Sequence, residues 1–250
     1  MEPVALVTGA GRGIGAATAR TLGRRGYRVV VNYRTDANAA DTVVADIESA
    51  GGTALAVPAD VCDPRQADSL MDTTFAQYGR LDALVCNANV PPPFAPLETM
   101  AWSDFRAKLD RELAAAFHVT QRAFTPMRRT GSGRIVYVSS LSAELTRPGA
   151  AAHAAAKSAL EAYARHVAAE AGPYGIGVTV VAPGAVRTDA TAHSITSQDA
   201  EHRAARSVLH RMLEPDDVAG VIAALLGTDW RAVTGTRIPV DAGFRVLTAP

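Results

Sequence analysis

Thr8-Gly9-Ala10-Gly11-Arg12-Gly13-Ile14-Gly15 decides how the rest of this chain is read. The octapeptide follows a short β-rich run, residues 4–8, and leads into a segment of helical spacing, 13–25, that stops at Gly26. Glycine meets two needs in such a turn. Some positions take backbone angles closed to other residues, and some let the main chain touch a pyrophosphate. A helix that opens at Gly13 aims free amides and a positive dipole end at the same place. A glycine cluster alone is common and says little. Between the first strand and first helix of a βαβ unit it marks a dinucleotide site.

Outward from this turn, strand-like and helix-like segments alternate to the end of the chain. Residues 28–33, 53–58, 81–87, 134–140, 178–182 and 237–240 read as strands. Residues 37–50, 64–78, 102–129, 150–171 and 215–226 read as helices, with Pro64 at the first turn of its helix. The strands are short continuous apolar runs, as a sheet buried on both faces requires. Alternation with long connections implies right-handed crossovers. The expected fold is α/β, a doubly wound parallel sheet of Rossmann type, in a single domain spanning residues 1–250. Two irregular stretches, 88–99 with its Pro91-Pro92-Pro93 and 184–213, follow carboxyl ends of strands, where open α/β sheets bind ligands. The second reads as a substrate lid, against the alternative of a plain surface excursion.

Composition narrows the function classes. Lys plus Arg and Asp plus Glu both number 25, so the formal charge is zero, without the basic excess of a nucleic-acid binder. No apolar run reaches the roughly 20 residues of a membrane span. Met1-Glu2-Pro3 runs straight into an apolar strand, unlike a signal peptide. The two cysteines, Cys62 and Cys86, sit in apolar contexts that suit a reducing cytoplasm and form no metal or disulfide pattern. His118, His193, His202 and His210 have no spacing that converges on a metal, so no metal site is expected.

The end of the second strand bears on which dinucleotide binds. An NAD-binding unit places Asp or Glu there for the ribose 2′-OH. This chain has Asn32-Tyr33-Arg34-Thr35, with no carboxylate until Asp36. Arg12 in the turn and Arg34 past the strand would welcome a 2′-phosphate and gain nothing from a bare hydroxyl. NADP(H) is therefore expected, with Gly9, Arg12, Gly13, Ile14 and Gly15 at the pyrophosphate and Tyr33, Arg34 and Thr35 at the ribose. The alternative is two solvated arginines.

Taken with motifs further along, the chain resembles the short-chain dehydrogenase/reductase family over nearly its whole length. The Thr-Gly-x-x-x-Gly-x-Gly turn is 8–15, and the adenine-side Asp-Val is Asp60-Val61. The Asn-Asn-Ala-Gly motif appears as Cys86-Asn87-Ala88-Asn89, and Ser140 follows Ser139 at the end of the fifth strand. Pro183-Gly184 follows the sixth, Val186 and Thr188 fall where the family touches the nicotinamide carboxamide, and Val240-Asp241-Ala242-Gly243 closes the pattern. The resemblance implies hydride transfer between a nicotinamide and a carbonyl or alcohol. In the family a serine holds the substrate oxygen, a tyrosine moves its proton, a lysine four residues on tunes the tyrosine, and a helical asparagine completes a relay. It also implies a small-molecule substrate and a homodimer or homotetramer formed through helices 102–129 and 150–171.

Here the sequence departs from the pattern. Thirteen residues beyond Ser140 stands His153, followed four later by Lys157, and no tyrosine re-registers onto that place. Glu112 occupies the helical asparagine position, and Asn89 replaces the glycine after the fourth strand. His153 and Lys157, four apart on a helix, face the same way. Imidazole serves as an acid or base near neutral pH, where a placed group gives roughly 10²–10⁴-fold. A nearby lysine disfavours imidazolium, and Glu112 is expected to offset this.

Three readings follow. The first is an NADP(H)-dependent carbonyl reductase using Ser140, His153, Lys157 and Glu112, its substrate held by the apolar loop 90–94 and the lid. The second is a non-redox dehydratase, isomerase or cyclase on the same scaffold. The third is an inactive dinucleotide-binding protein. Fold alone does not choose among them.

Overall fold

A computed structural model describes residues 2–188 and 196–246. Seven strands form one sheet: β1 (Val4–Val7), β2 (Arg28–Tyr33), β3 (Thr53–Pro58), β4 (Ala83–Cys86), β5 (Gly133–Val138), β6 (Ile176–Pro183) and β7 (Thr236–Val240). Among the described residues, seven α-helices flank them: α1 (Gly13–Arg24), α2 (Ala37–Ser49), α3 (Pro64–Tyr78), α4 (Trp102–Thr130), α5 (Ala151–Ala171), α6 (Ser197–Ala205) and α7 (Pro215–Leu225). The strand order is β3-β2-β1-β4-β5-β6-β7 and every pairing is parallel. This is the doubly wound order with a seventh strand added, in a single α/β domain.

Continuous apolar strands were expected because both faces are covered, and β1 shows how. Val4 and Leu6 join the core under α3, α4 and α5, while Ala5 and Val7 join the core under α1, α2 and α7. Successive side chains of a strand point to opposite faces, so a strand between two helical layers has no polar side. Strand order reverses between β1 and β4, so their carboxyl ends diverge into the crevice where such sheets bind ligands.

Two differences from the sequence reading affect the site. The fifth strand ends at Val138, so Ser140 lies beyond it, extended and capping a short 3-10 turn, Leu141–Ala143. The stretch 184–213 contains α6, which begins with a capping box between Thr196 and Asp199. Its polar sequence lacks the apolar period by which a packed helix is recognised. Residues 189–195, with His193 and part of the expected lid, lie outside the described residues. Among those described, no helix is long and apolar enough to cross a membrane.

Candidate active site

The glycine turn is held open by its neighbours. Asn87, just past β4, sends its side-chain amide to the carbonyls of Thr8 (3.0 Å) and Gly9 (3.1 Å). The Thr8 hydroxyl accepts from the backbone amides of Asn87 and Ala88, both at 3.0 Å. Asn32, buried on β2, accepts from the Gly9 amide (3.2 Å) and donates to the carbonyls of Val57 and Ala59. Gly9 has φ +62°, and a Cβ there would lie 2.9 Å from Ala88 Cα. A Cβ on Gly15 would strike the Gly9 carbonyl and come within 2.5 Å of Asn87 Nδ2. Only glycine lets α1 start so close to the strand ends.

Helix α1 opens with no side-chain cap, Arg12 standing extended at its N-cap. Its first amides, which no helix satisfies internally, remain available to a ligand. This fits a pyrophosphate. Tyr33 is half-buried at the end of β2, with Arg34 and Thr35 exposed beyond it. Asp36, the first carboxylate after the strand, caps α2 by accepting from the Ala39 amide at 3.0 Å. Asp60 accepts from the Cys62 amide (3.0 Å) and from Arg111 (2.9 Å), beside buried Val61. Pro183 ends β6, Gly184 donates to the Val240 carbonyl, and buried Val186 bridges to Leu213. The Thr188 methyl lies 3.4 Å from where a Gly13 Cβ would be, so this segment turns back over the start of α1.

Lys157 and Glu112 are paired, His153 stands one turn before Lys157 on α5, and Ser140 lies two residues past the Val138 carbonyl that Lys157 reaches. Ser140 Oγ accepts from the Ser142 amide (3.1 Å) and keeps its own hydrogen to donate. The loop is braced from behind by β7. Arg237 reaches the Ser140 carbonyl (3.4 Å), Glu144 (2.7 Å) and Glu161 (2.9 Å), and Glu161 accepts from Ser139 Oγ at 2.7 Å. Lys157 is buried on α5 and donates to the Val138 carbonyl (2.9 Å) and to Glu112 Oε1 (2.5 Å). Glu112 Oε2 is held at 2.5 Å by Lys108, one turn earlier on α4, which also donates to Asn89 Oδ1 (3.0 Å) and the Val90 carbonyl (2.7 Å). Burial pushes the Glu112 carboxyl up, but the two ammonium groups outweigh it and hold its pKa below the ordinary value.

His153 sits on α5 with Nδ1 buried and no hydrogen-bond partner among the described residues. Its ring meets Phe94 edge-on at 6.0 Å, and Arg147 stacks on Phe94 at 4.5 Å. Burial first, then the Lys157 and Lys108 cations, push its pKa down from 6.5 to about 4. Glu112 pulls the other way and Arg147 adds to the fall. The expectation that Glu112 would offset the lysine holds in direction only: its carboxylate, shared between two lysines, favours imidazolium but is outweighed by burial and the cations. His153 is a neutral imidazole at neutral pH. The tyrosines nearest in sequence are engaged elsewhere, Tyr137 fully buried with its hydroxyl 2.8 Å from that of Thr120 and Tyr163 half-buried against Tyr137.

Sequence reading missed Thr8, Asn32 and Lys108 as site residues. For Lys108 the available signal was a lysine four residues before Glu112 on one helix face. Among the described residues no His, Cys, Asp or Glu cluster is arranged to hold a metal, and both cysteines are unpaired thiols.

The sheet order and the uncapped glycine turn at the switch point define a Rossmann-type nucleotide-binding fold. Residues 9–245 match the family model described as enoyl-(acyl carrier protein) reductase. The chain is 39% identical over 243 residues to a 3-oxoacyl-(acyl-carrier-protein) reductase of a Synechocystis species, covering 96% of each. It is 36% identical over 246 residues to a cis-4-hydroxycyclohexanecarboxylate dehydrogenase of Sinomonas cyclohexanicum, covering 98% of each. A short-chain dehydrogenase/reductase from Serratia marcescens superposes with a TM-score of 0.90 at 32% identity over 97% of each chain. An acetoin dehydrogenase from Enterobacter cloacae gives 0.89 at 31% identity, covering 100% of this chain and 99% of that one. The chain belongs to the short-chain dehydrogenase/reductase family. It is an oxidoreductase of that type, and the family works with nicotinamide dinucleotides.

Proposed function

We propose that the protein is an NADP(H)-dependent carbonyl reductase, run in reverse as an alcohol dehydrogenase, in which His153 stands where the family carries tyrosine. The observation that carries the reading is a set of donors not spent among the described residues: the Ser140 hydroxyl and an imidazole whose Nδ1 has no partner there, backed by Lys157. The preference for the 2′-phosphate rests on Arg12 and Arg34, together with Asp36, the nearest carboxylate, which is engaged as a helix cap. The amides of Gly13, Ile14 and Gly15 would hold the pyrophosphate, and Asp60 and Val61 the adenine. Asn87, Ala88, Pro183, Gly184, Val186 and Thr188 frame the nicotinamide end.

The bound dinucleotide supplies the hydride to the carbonyl carbon. Ser140 donates to the carbonyl oxygen and draws charge onto it. Neutral His153 donates an N–H to the same oxygen, as an imidazole kept below its usual pKa can polarise a carbonyl without being a cation. The proton that completes the alcohol comes from solvent through a water beside His153, so the ring stays neutral throughout. Lys157 places positive charge behind both. The apolar loop 90–94, with Phe94, holds the substrate, and a homodimer or homotetramer forms through α4 and α5, where Phe117 is exposed.

The deciding experiment titrates the protein with NADPH and NADH, then follows NADPH absorbance on a carbonyl panel for wild type and His153→Tyr. Tighter NADPH binding and measurable reduction by the wild type are expected. Turnover by His153→Tyr alone overturns the catalytic role of His153, and tighter NADH binding overturns the cofactor assignment. Conversion of a substrate with no change in NADPH supports a dehydratase, isomerase or cyclase.

A further inference from the structure

Positions 89, 108, 112 and 157 form one hydrogen-bonded unit. The Lys108 side chain is 0% exposed and that of Glu112 2%. An ammonium has three hydrogens and no acceptor. Those of Lys108 have three acceptors: Asn89 Oδ1, the Val90 carbonyl and Glu112 Oε2. Glu112 spends its second oxygen on Lys157, and Lys157 spends two hydrogens, on Glu112 and the Val138 carbonyl. One hydrogen of the unit is left, on Lys157. Two ammonium groups against one carboxylate also leave one net positive charge. Such a unit is costly to bury, and removing one partner of a buried pair leaves the other charge uncompensated.

The unit joins two parts of the site. Asn89 and Val90 begin the loop after β4 whose Phe94 meets the His153 ring. Glu112 fixes the lysine beneath the imidazole. We propose that Lys108 is a positioning residue: through Glu112 it sets the place and charge of Lys157, and through Asn89 and Val90 it fixes the loop that confines His153. The Lys108–Glu112–Lys157 cluster, and not the imidazole, then carries the positive charge of the site. That this charge faces a developing alkoxide rests on the reductase reading; the placement does not.

The test is a charge cycle read at His153 by NMR titration of the full-length protein, with and without saturating NADPH. The groups that act on His153 are Lys157 from α5, Lys108 and Glu112 from α4, and Arg147 from the segment before α5. Lys108→Met removes a cation and leaves the cluster neutral, so the His153 pKa rises from about 4 by at least about one unit. Glu112→Asn leaves two buried ammonium groups, so the pKa falls further and the fold weakens. The double variant, Lys108→Met with Glu112→Asn, restores one net positive charge. Its His153 pKa returns toward the wild-type value, and it is more stable than Glu112→Asn alone. Loss of packing alone does not produce opposite shifts that cancel. An unmoved His153 titration in Lys108→Met overturns the proposal. If that variant fails to fold, a double variant no more stable than Glu112→Asn overturns it. A cycle that closes in a protein reducing no carbonyl supports Lys108 and removes only the redox reading. Unchanged kcat and an unmoved titration in Lys108→Met do the reverse.

Discussion

His153 should make the protein lose stability in a pH window where an ordinary histidine would not. Above about pH 6.5 the imidazole is neutral in both folded and unfolded chains and contributes no pH dependence. Between about 6.5 and about 4 the unfolded chain binds a proton that the folded site refuses, so stability falls as pH falls. Below about 4 both states are protonated and the contribution is flat. At about 1.4 kcal/mol per pH unit, this interval is worth on the order of 3 kcal/mol. The perturbation is His153→Phe, which keeps a ring against Phe94 and removes the titration. Urea unfolding of both proteins at about pH 7, 6, 5 and 4, at one protein concentration, gives the difference curve. Carboxylates and the remaining histidines cancel in that difference. Wild type should lose about 3 kcal/mol more than the variant across the window. Parallel curves, or a His153 resonance titrating near 6.5, would refute the description of a desolvated imidazole beside two cations.

The nucleotide end gives two further expectations. Gly15→Ala places a methyl against the Gly9 carbonyl and Asn87, so it should destabilise the fold by about 1–3 kcal/mol and weaken NADPH binding, read by urea unfolding and fluorescence titration. Normal binding would mean the turn is looser than described. Arg12→Ala and Arg34→Ala should each raise the Kd for NADPH about 10-fold, the scale of one charge-assisted hydrogen bond, and leave NADH nearly unchanged. Equal losses for both nucleotides would remove the 2′-phosphate assignment.

The parts of the molecule legible in the sequence are those set by local rules. The glycine turn, the double-sided strands and the order of elements follow from backbone geometry and apolar period, and boundaries fall within two or three residues. Helix Ser197–Ala205 was invisible to that logic, because its face is polar and only the Thr196–Asp199 box announces it. Lys108 was missed for a related reason. A lysine on a long helix reads as solvent-facing, and only the loop at Asn89 and Val90 folding over it encloses its ammonium. How far Glu112 counts at His153 was not legible because sequence shows which groups are near, not which have already claimed a carboxylate. The brace on Ser140 comes from Arg237, 97 residues away, a distance that no local pattern spans.

That brace has a consequence for how the protein matures. The nucleotide turn is held by Thr8, Asn32 and Asn87, all within residues 8–87, whereas the serine loop takes its brace from β7. During synthesis these three residues emerge well before Arg237, so the guanidinium that ties Glu144, Glu161 and the Ser140 carbonyl together is the last of these groups to arrive.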